Sequence, residues 1–199
     1  MRILVVGATG TIGSAVVEEL KDCGEIIRAS RTSSEVKVDI TSEESIAKMF
    51  KEVGEIDALV STTGRAHYAP LEELTPELNR VGVQSKLLGQ INLVLLGLPY
   101  IKDRGSITLT TGVLMDDPIL QGASAAMANG GVRAFVKAAA LDMPRGIRIN
   151  TVSPTVLAES KEKFGSFFEG FDPVPAKKVA LAFRKSVLGA QNGKTFKVY

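Results

Sequence analysis

A short apolar strand, Arg2 to Val6, runs into the turn Gly7-Ala8-Thr9-Gly10-Thr11-Ile12-Gly13, and a helix-compatible stretch from Ser14 to Leu20 follows at once. No other segment constrains the fold as much. The order builds an anion site from backbone alone. Gly7 permits the tight turn, Gly10 lets a pyrophosphate approach the main chain, and Gly13 lets helix and strand pack closely. The free N–H groups and positive dipole end of the new helix then face the phosphates. Between a strand and a helix, Gly-x-x-Gly-x-x-Gly predicts a dinucleotide-binding turn. A plain strand–helix turn is the alternative use of the same glycines.

Beyond the turn, apolar runs alternate with helical patterns, as in a parallel sheet covered on both faces. Strands are expected near 2–6, 25–29, 36–39, 56–60, 105–110, 146–152 and 194–198. Helices are expected near 11–23, 42–53, 75–101, 121–143 and 175–190, with a shorter piece near 157–169. Thr41-Ser42-Glu43-Glu44 and Thr75-Pro76-Glu77 read as helix starts, each with a hydroxyl cap and an early acid. No repeat or linker breaks the pattern, so residues 1–199 are expected to form one α/β domain with a doubly wound parallel sheet. Between the second and third strands, Ser30 to Glu35 is too short for a helical crossover. Either the chain crosses bare or the strand pairing differs, and a bare crossing is the expectation.

Composition narrows the function classes. With 45% hydrophobic and 23% charged residues the chain reads as a soluble globular protein. A net charge of +2 argues against nucleic acid or an anionic membrane as partner. The single cysteine, Cys23, precludes an internal disulfide and reads as a small core hydrophobe. No metal site is expected. The first residues read as a strand rather than a secretory signal, so a cytoplasmic location is expected. The apolar run Ile91 to Leu98, broken by Asn92 and Gly97, reads as too short to span a bilayer.

The second strand bears on which dinucleotide is bound. A ribose 2′-hydroxyl is held by a carboxylate at the strand end, whereas a 2′-phosphate needs a cation and small donors. Here the strand ends Ala29-Ser30-Arg31-Thr32-Ser33, with no acid until Glu35. The planar fork of Arg31 suits phosphate oxygens, with Ser30 and Thr32 as further donors. NADP(H) is expected over NAD(H); a solvated loop arginine is the alternative.

Later segments fall in a recognisable order: Val38-Asp39-Ile40 after the third strand, Ser61-Thr62-Thr63-Gly64 closing the fourth, Gly105 to Gly112 as the fifth, and Arg148-Ile-Asn150-Thr-Val-Ser-Pro154 in the sixth. In these the chain resembles the short-chain dehydrogenase/reductase family over nearly its whole length. The resemblance implies a single Rossmann domain with a seven-stranded parallel sheet and a nicotinamide cofactor. Gly7, Thr9, Gly10, Thr11, Ile12 and Gly13 would hold the pyrophosphate. Asp39 would accept from the adenine amino group, with Ile40 against the ring; a turn carboxylate is the alternative for Asp39. Thr62, Thr63 and Gly64 stand where the family has Asn-Asn-Ala-Gly beside the ribose. Pro154 and Val156 would line the nicotinamide, with Thr155 where glycine is usual. The family also pairs its long helices across two-fold axes, so a homo-oligomer is expected through 75–101 and 121–143.

The departure lies in the chemistry. The family's proton donor is the tyrosine of Tyr-x-x-x-Lys on the fifth helix, and here those positions fall on Ala125 and Asn129. The family's serine falls on Gly112, or on Thr111 one residue earlier, and its helix-four asparagine on Lys86. Tyr68, Lys86 and Thr111 are therefore the candidate catalytic residues, with His67, Thr110 and Ser124 nearby. Each also has a bland role, as loop, solvated or packing residue. Phe164, Phe167, Phe168 and Phe171 either cover a pocket or pack on the sheet. Two expectations compete: an NADP(H)-dependent oxidoreductase of a small carbonyl or alcohol, and a catalytically inactive NADP(H)-binding sensor.

Overall fold

The computed structural model describes residues 1–199, the side chain of Lys163 excepted. Its strands are β1 (Arg2–Val6), β2 (Glu25–Ser30), β3 (Val36–Lys37), β4 (Ile56–Ser61), β5 (Ile101–Thr110), β6 (Arg148–Pro154) and β7 (Thr195–Val198). They form one seven-stranded sheet in the order β3-β2-β1-β4-β5-β6-β7, every pairing parallel. The helices are α1 (Thr11–Leu20), α2 (Glu43–Val53), α3 (Pro76–Gly82), α4 (Gly89–Gly97), α5 (Ala123–Asp142), α6 (Lys161–Phe164) and α7 (Ala176–Leu188).

The strand β1 shows why these strands read as unbroken apolar runs. Leu4 and Val6 enter one core, with Phe50 of α2, Leu93 of α4 and Val132 of α5. Ile3 and Val5 enter the other, with Val16 of α1 and Phe183 of α7. Burying each such side chain is worth about 1.5–3 kcal/mol, so one strand stabilises both layers. The helix starts are those the sequence marks. The hydroxyl of Ser42 accepts from the Ser45 N–H with Glu43 and Glu44 in the first turn, and Thr75 accepts from the Leu78 N–H with Pro76 following.

The connection from β2 to β3 is bare. Only two residues of β3 pair, Val36 with Ala29 and Lys37 with Ser30, beside the point where the chain leaves β2. A full crossover must carry the chain back along the sheet, whereas this one only folds over at its edge. Ser30 Oγ tightens the fold by accepting from the Ser33 N–H at 3.1 Å. The strand β3 consequently ends at Lys37, short of the expected 39, with one further bond to β2 from the Val38 N–H to the Ser30 carbonyl at 3.0 Å.

Two further expectations are corrected. The strand β5 begins at Ile101 rather than 105, because an irregularity in register between Ile56 and Ala58 lets Ile101 pair before the charged Lys102-Asp103-Arg104. The helical stretch around 91–98 is longer than that run suggests: Asn92 and Gly97 do not interrupt it, and Pro76–Tyr100 as a whole is long and apolar enough to cross a membrane by length and composition. In this fold one face of the stretch packs against the protein, with Gln90 and Leu93 fully buried, while Leu88 and Leu95 are exposed. It is also not uniform. Between α3 and α4, Val83–Leu88 forms a π turn, in which the Gly89 N–H reaches back to the Gln84 carbonyl.

Candidate functional site

The sheet order runs outward from β1 through β2 in one direction and through β4 in the other. Chains leaving β1 and β4 turn to opposite faces and open a crevice at their carboxyl ends. Two clefts lie there, an outer one of about 310 Å³ and an inner one of about 190 Å³, and Gly64 borders both.

The outer cleft is bounded by Gly7, Thr9 and Gly10. Gly7 sits at φ +89°, and a Cβ there would stand 2.6 Å from Thr63 Cγ2 and 2.8 Å from Thr62 Oγ1. Thr62 Oγ1 lies 3.1 Å from the Gly7 carbonyl, to which it donates, so the loop after β4 braces the turn. A methyl on Gly10 would meet only the Gly7 carbonyl, at 3.5 Å. The first turn of α1 has neither a capping side chain nor an acid, so its dipole end is left uncompensated. Gly13 and Thr11 do not line the outer cleft. A Cβ on Gly13 would strike the Gly7 carbonyl, which makes this glycine the helix–strand packing residue. Ile12 faces the inner cleft instead.

On the far side of the outer cleft stand Ser30, Arg31 and Thr32, with Asp39 and Ile40 nearby. The Thr41 N–H and hydroxyl both donate to Asp39 Oδ1, at 2.9 and 2.7 Å. Those bonds, with the weaker fields of Arg31 and Arg65, hold the Asp39 carboxyl below its usual range. Asp39 is thus a turn carboxylate whose Oδ2 has no protein donor among the described residues, so its two sequence readings are compatible. Arg65 is a cleft residue that sequence reasoning missed. Its backbone N–H donates to Ser85 Oγ at 3.1 Å, fixing the chain where it enters the inner cleft.

The inner cleft brings together Tyr68, Lys86 and Thr111 with Ala125, Asn129 and Thr155. Lys86 lies in the π turn, whose wider winding leaves the Lys86 carbonyl to the Gln90 side chain, 3.1 Å away. The absence of a side chain on Gly64, at φ +108°, admits Lys86: a Cβ there would be 2.6 Å from Lys86 Cδ. Burial pulls the Lys86 ammonium down to about 8. Neither Lys86, Arg31 nor Arg65 is paired with a carboxylate among the described residues. Burial raises the Tyr68 phenol above its ordinary value, and its ring lies against Phe164 at 6.5 Å.

Thr111 Oγ1 donates to the Val152 carbonyl at 3.3 Å, so its proton is committed to the fold. Thr110 is more deeply structural: its hydroxyl donates to the Ser61 carbonyl, and Gln90 brackets its backbone N–H and C=O. His67 borders neither cleft. Ser124 packs α5 against Gly82, where a Cβ would meet its hydroxyl at 2.7 Å. The phenylalanines divide: Phe168 borders the inner cleft, Phe171 packs edge-on against Phe168, and Phe167 is largely exposed. Among the described residues Asn129 Oδ1 and Thr155 Oγ1 are buried without a partner. The Val156 carbonyl accepts from the Val174 N–H at 3.0 Å, and among the described residues no group takes the Val156 N–H.

The sixth-strand motif holds the sheet together. Arg148 donates to the carbonyls of Ser186 and Val187 at the end of α7. Asn150 donates to Ser186 Oγ and the Gln191 carbonyl and accepts from the Lys194 N–H. Thus Pro154, which borders the inner cleft, stands on a strand anchored to α7 and to the approach to β7.

Residues 7–185 match the family model described as Enoyl-(Acyl carrier protein) reductase. The chain belongs to the short-chain dehydrogenase/reductase family. Its structure superposes on that of the protein lin1944 from Listeria innocua with a TM-score of 0.99, at 63% identity and over 100% of both chains. A small-chain dehydrogenase in complex with NADPH matches with a TM-score of 0.89 over 100% of this chain and 96% of its own, at 23% identity, a likeness of fold. An uncharacterized oxidoreductase of Methylorubrum extorquens is 25% identical over 76% of this chain and 71% of its own length. The helix α5 contains no tyrosine, and it presents Ala125 and Asn129 to the inner cleft.

Proposed function

We propose that the protein is an NADP(H)-dependent oxidoreductase of a small carbonyl or alcohol, cytoplasmic and homo-oligomeric, with residues 1–199 acting as one nucleotide-binding domain. The single observation that carries this reading is that the two clefts share Gly64, with Arg31 in one and Lys86 in the other, neither paired with a carboxylate among the described residues.

The cradle suits a dinucleotide phosphate. Gly10 leaves open space beside the uncapped start of α1, where a side chain would intrude. Arg31 would hold a 2′-phosphate, helped by Thr32 and Ser30. Oδ2 of Asp39 would accept from adenine, with Ile40 beneath the ring. Thr62, Thr63 and Gly64 would flank the ribose. Pro154 and Val156 would border the nicotinamide, the free Val156 N–H serving its carboxamide. A nicotinamide cofactor supplies or accepts a hydride when bound. The NADPH complex of the small-chain dehydrogenase supports the same cofactor here.

The substrate would sit in the inner cleft. Tyr68, a phenol protonated at neutral pH, would give its hydroxyl proton to the substrate oxygen, while Lys86 supplies positive charge. Thr111 is a structural acceptor rather than the donor, because its proton already serves Val152. The exposed Leu88, Leu95 and Met127 on α4, α5 and the π turn support burial against a second copy.

One observation favours the sensor reading: Ala125 has no proton to give at the place where the family has its tyrosine. Direct titration of NADPH and NADH, beside NADPH oxidation over a panel of carbonyl compounds, separates the two. Oxidation of NADPH with any carbonyl supports the enzyme. Tight NADPH binding with no turnover across the panel supports the sensor, and equal affinity for both cofactors overturns the NADP(H) assignment.

A further inference from the structure

We propose that Lys86 is a carboxylate-binding group, and that the inner cleft takes a small acid with a carbonyl or hydroxyl group and an apolar body. The proposal rests on the oxidoreductase reading and names its substrate class.

The first argument is charge. Among the described residues no aspartate or glutamate borders the inner cleft, and Lys86 reaches no carboxylate elsewhere. A desolvated ammonium without a counter-ion is costly, and it persists where a ligand completes the pair. The outer cleft is the place for the cofactor's phosphates, since it has Arg31, Arg65 and the start of α1. The anion that meets Lys86 therefore belongs to a different molecule.

The second argument is the hydrogen-bond inventory. Asn129 is about nine-tenths buried or more, at 5% exposure, and its Oδ1 has no donor among the described residues. An amide oxygen in that state accepts from a hydroxyl, and the hydroxyl of a hydroxy acid provides one. Tyr68 and Thr155 are the cleft side chains whose hydroxyls meet no protein partner among the described residues, and burial raises the Tyr68 phenol. Val113, Leu114, Leu157 and Phe168 close the remaining wall with carbon, which leaves the body of the acid apolar.

The third argument is how the charge is positioned. A π turn and a glycine at positive φ together bring Lys86 against the β4 loop. Two departures from ordinary backbone at one lysine mark a constrained placement rather than a solvated side chain. The titratable groups near it are few: Tyr68 on the same cleft, Arg65 on the outer one and His67 on neither.

The test uses unreactive probes on the full-length protein. Butyrate, hexanoate and benzoate are titrated against the corresponding amides by calorimetry, with and without saturating NADPH. The expected result is carboxylate binding at least about tenfold tighter than amide binding, retained with NADPH present. Raising the pH from 7 to 9 should weaken carboxylate binding by about tenfold, as Lys86 loses its proton. Lys86→Met should remove the preference for the acid and Lys86→Arg should keep it. Equal binding of acids and amides, a preference that survives in Lys86→Met, or NADPH displacing the acid overturns the proposal. If NADPH does not bind at all while the acid preference persists without it, the carboxylate site stands and the oxidoreductase reading fails.

Discussion

Replacing Lys86 by methionine should make the protein more stable at neutral pH. Burial pulls the ammonium from its ordinary 10.5 down to about 8. Each pH unit of such displacement corresponds to about 1.4 kcal/mol of preference for the neutral form. The folded chain therefore carries roughly 3 kcal/mol of charge-burial cost at pH 7. Below pH 8 both folded and unfolded chains hold the proton, and the full cost is present. Between 8 and 10.5 the unfolded chain binds more protons than the folded one, so the natural protein gains stability as pH rises. Above 10.5 both are neutral at this position and the cost is gone. Methionine keeps the unbranched stem that packs on Gly64 and removes only the charge. Urea unfolding should show Lys86→Met ahead by about 3 kcal/mol at pH 7 and by about 1.4 kcal/mol at pH 9.5. A loss of stability at pH 7, or a gain that does not shrink with pH, would refute the claim that this cation is desolvated and unpaired.

The other predictions concern the cofactor, the proton, the loop and the assembly. Arg31→Ala should cost about 1.5–3 kcal/mol of NADPH affinity, tenfold or more, and leave NADH binding almost unchanged; parallel titrations check it, and a retained preference sinks the role of Arg31. Tyr68→Phe should lower turnover by about 10²–10⁴ while NADPH affinity holds, so unaltered turnover dismisses Tyr68 as donor. Gly64→Ala combines a left-handed backbone with a clash against Lys86, and should destabilise by about 2–5 kcal/mol in urea; an unchanged midpoint contradicts that packing. Light scattering at micromolar concentration should report a mass above 21.2 kDa, and a monomer refutes the pairing of helices.

Much of the architecture was legible because it rests on patterns the chain carries locally. Strands buried on both faces must be apolar throughout, and β1 reads that way because Leu4 and Ile3 enter different cores. Caps at Ser42 and Thr75 and the glycine turn announce themselves by residue type. The bare link before β3 was visible as a length too short for a helix. What was hidden depends on contacts between distant segments. Arg65 looked like an ordinary loop residue until the fold set it across the outer cleft from Arg31. The π turn leaves no signature in Val83 to Leu88, because its hydrogen bonding is settled by Gln90 and by the room at Gly64. The commitment of the Thr111 proton to Val152 likewise follows from the pairing of strands, not from the motif around it.

The same contrast explains why the family likeness and the missing tyrosine do not conflict. The motif of β6 performs framework chemistry: Arg148 and Asn150 bind carbonyls and N–H groups at the end of α7 and before β7, whatever reacts above them. The reactive positions on α5 are under no such demand. The helix α5 keeps its core contacts through Val132 and Val136, apart from Ala125 and Asn129. Function resides in the site rather than in the fold. In this chain a cation of the inner cleft, Lys86, stands on the π turn and pairs with no carboxylate among the described residues. A lysine on α5 would lie beside the cofactor's ribose by the family's arrangement. One on the π turn, bordered by apolar walls and an orphan amide oxygen, would on the proposed reading meet the substrate instead.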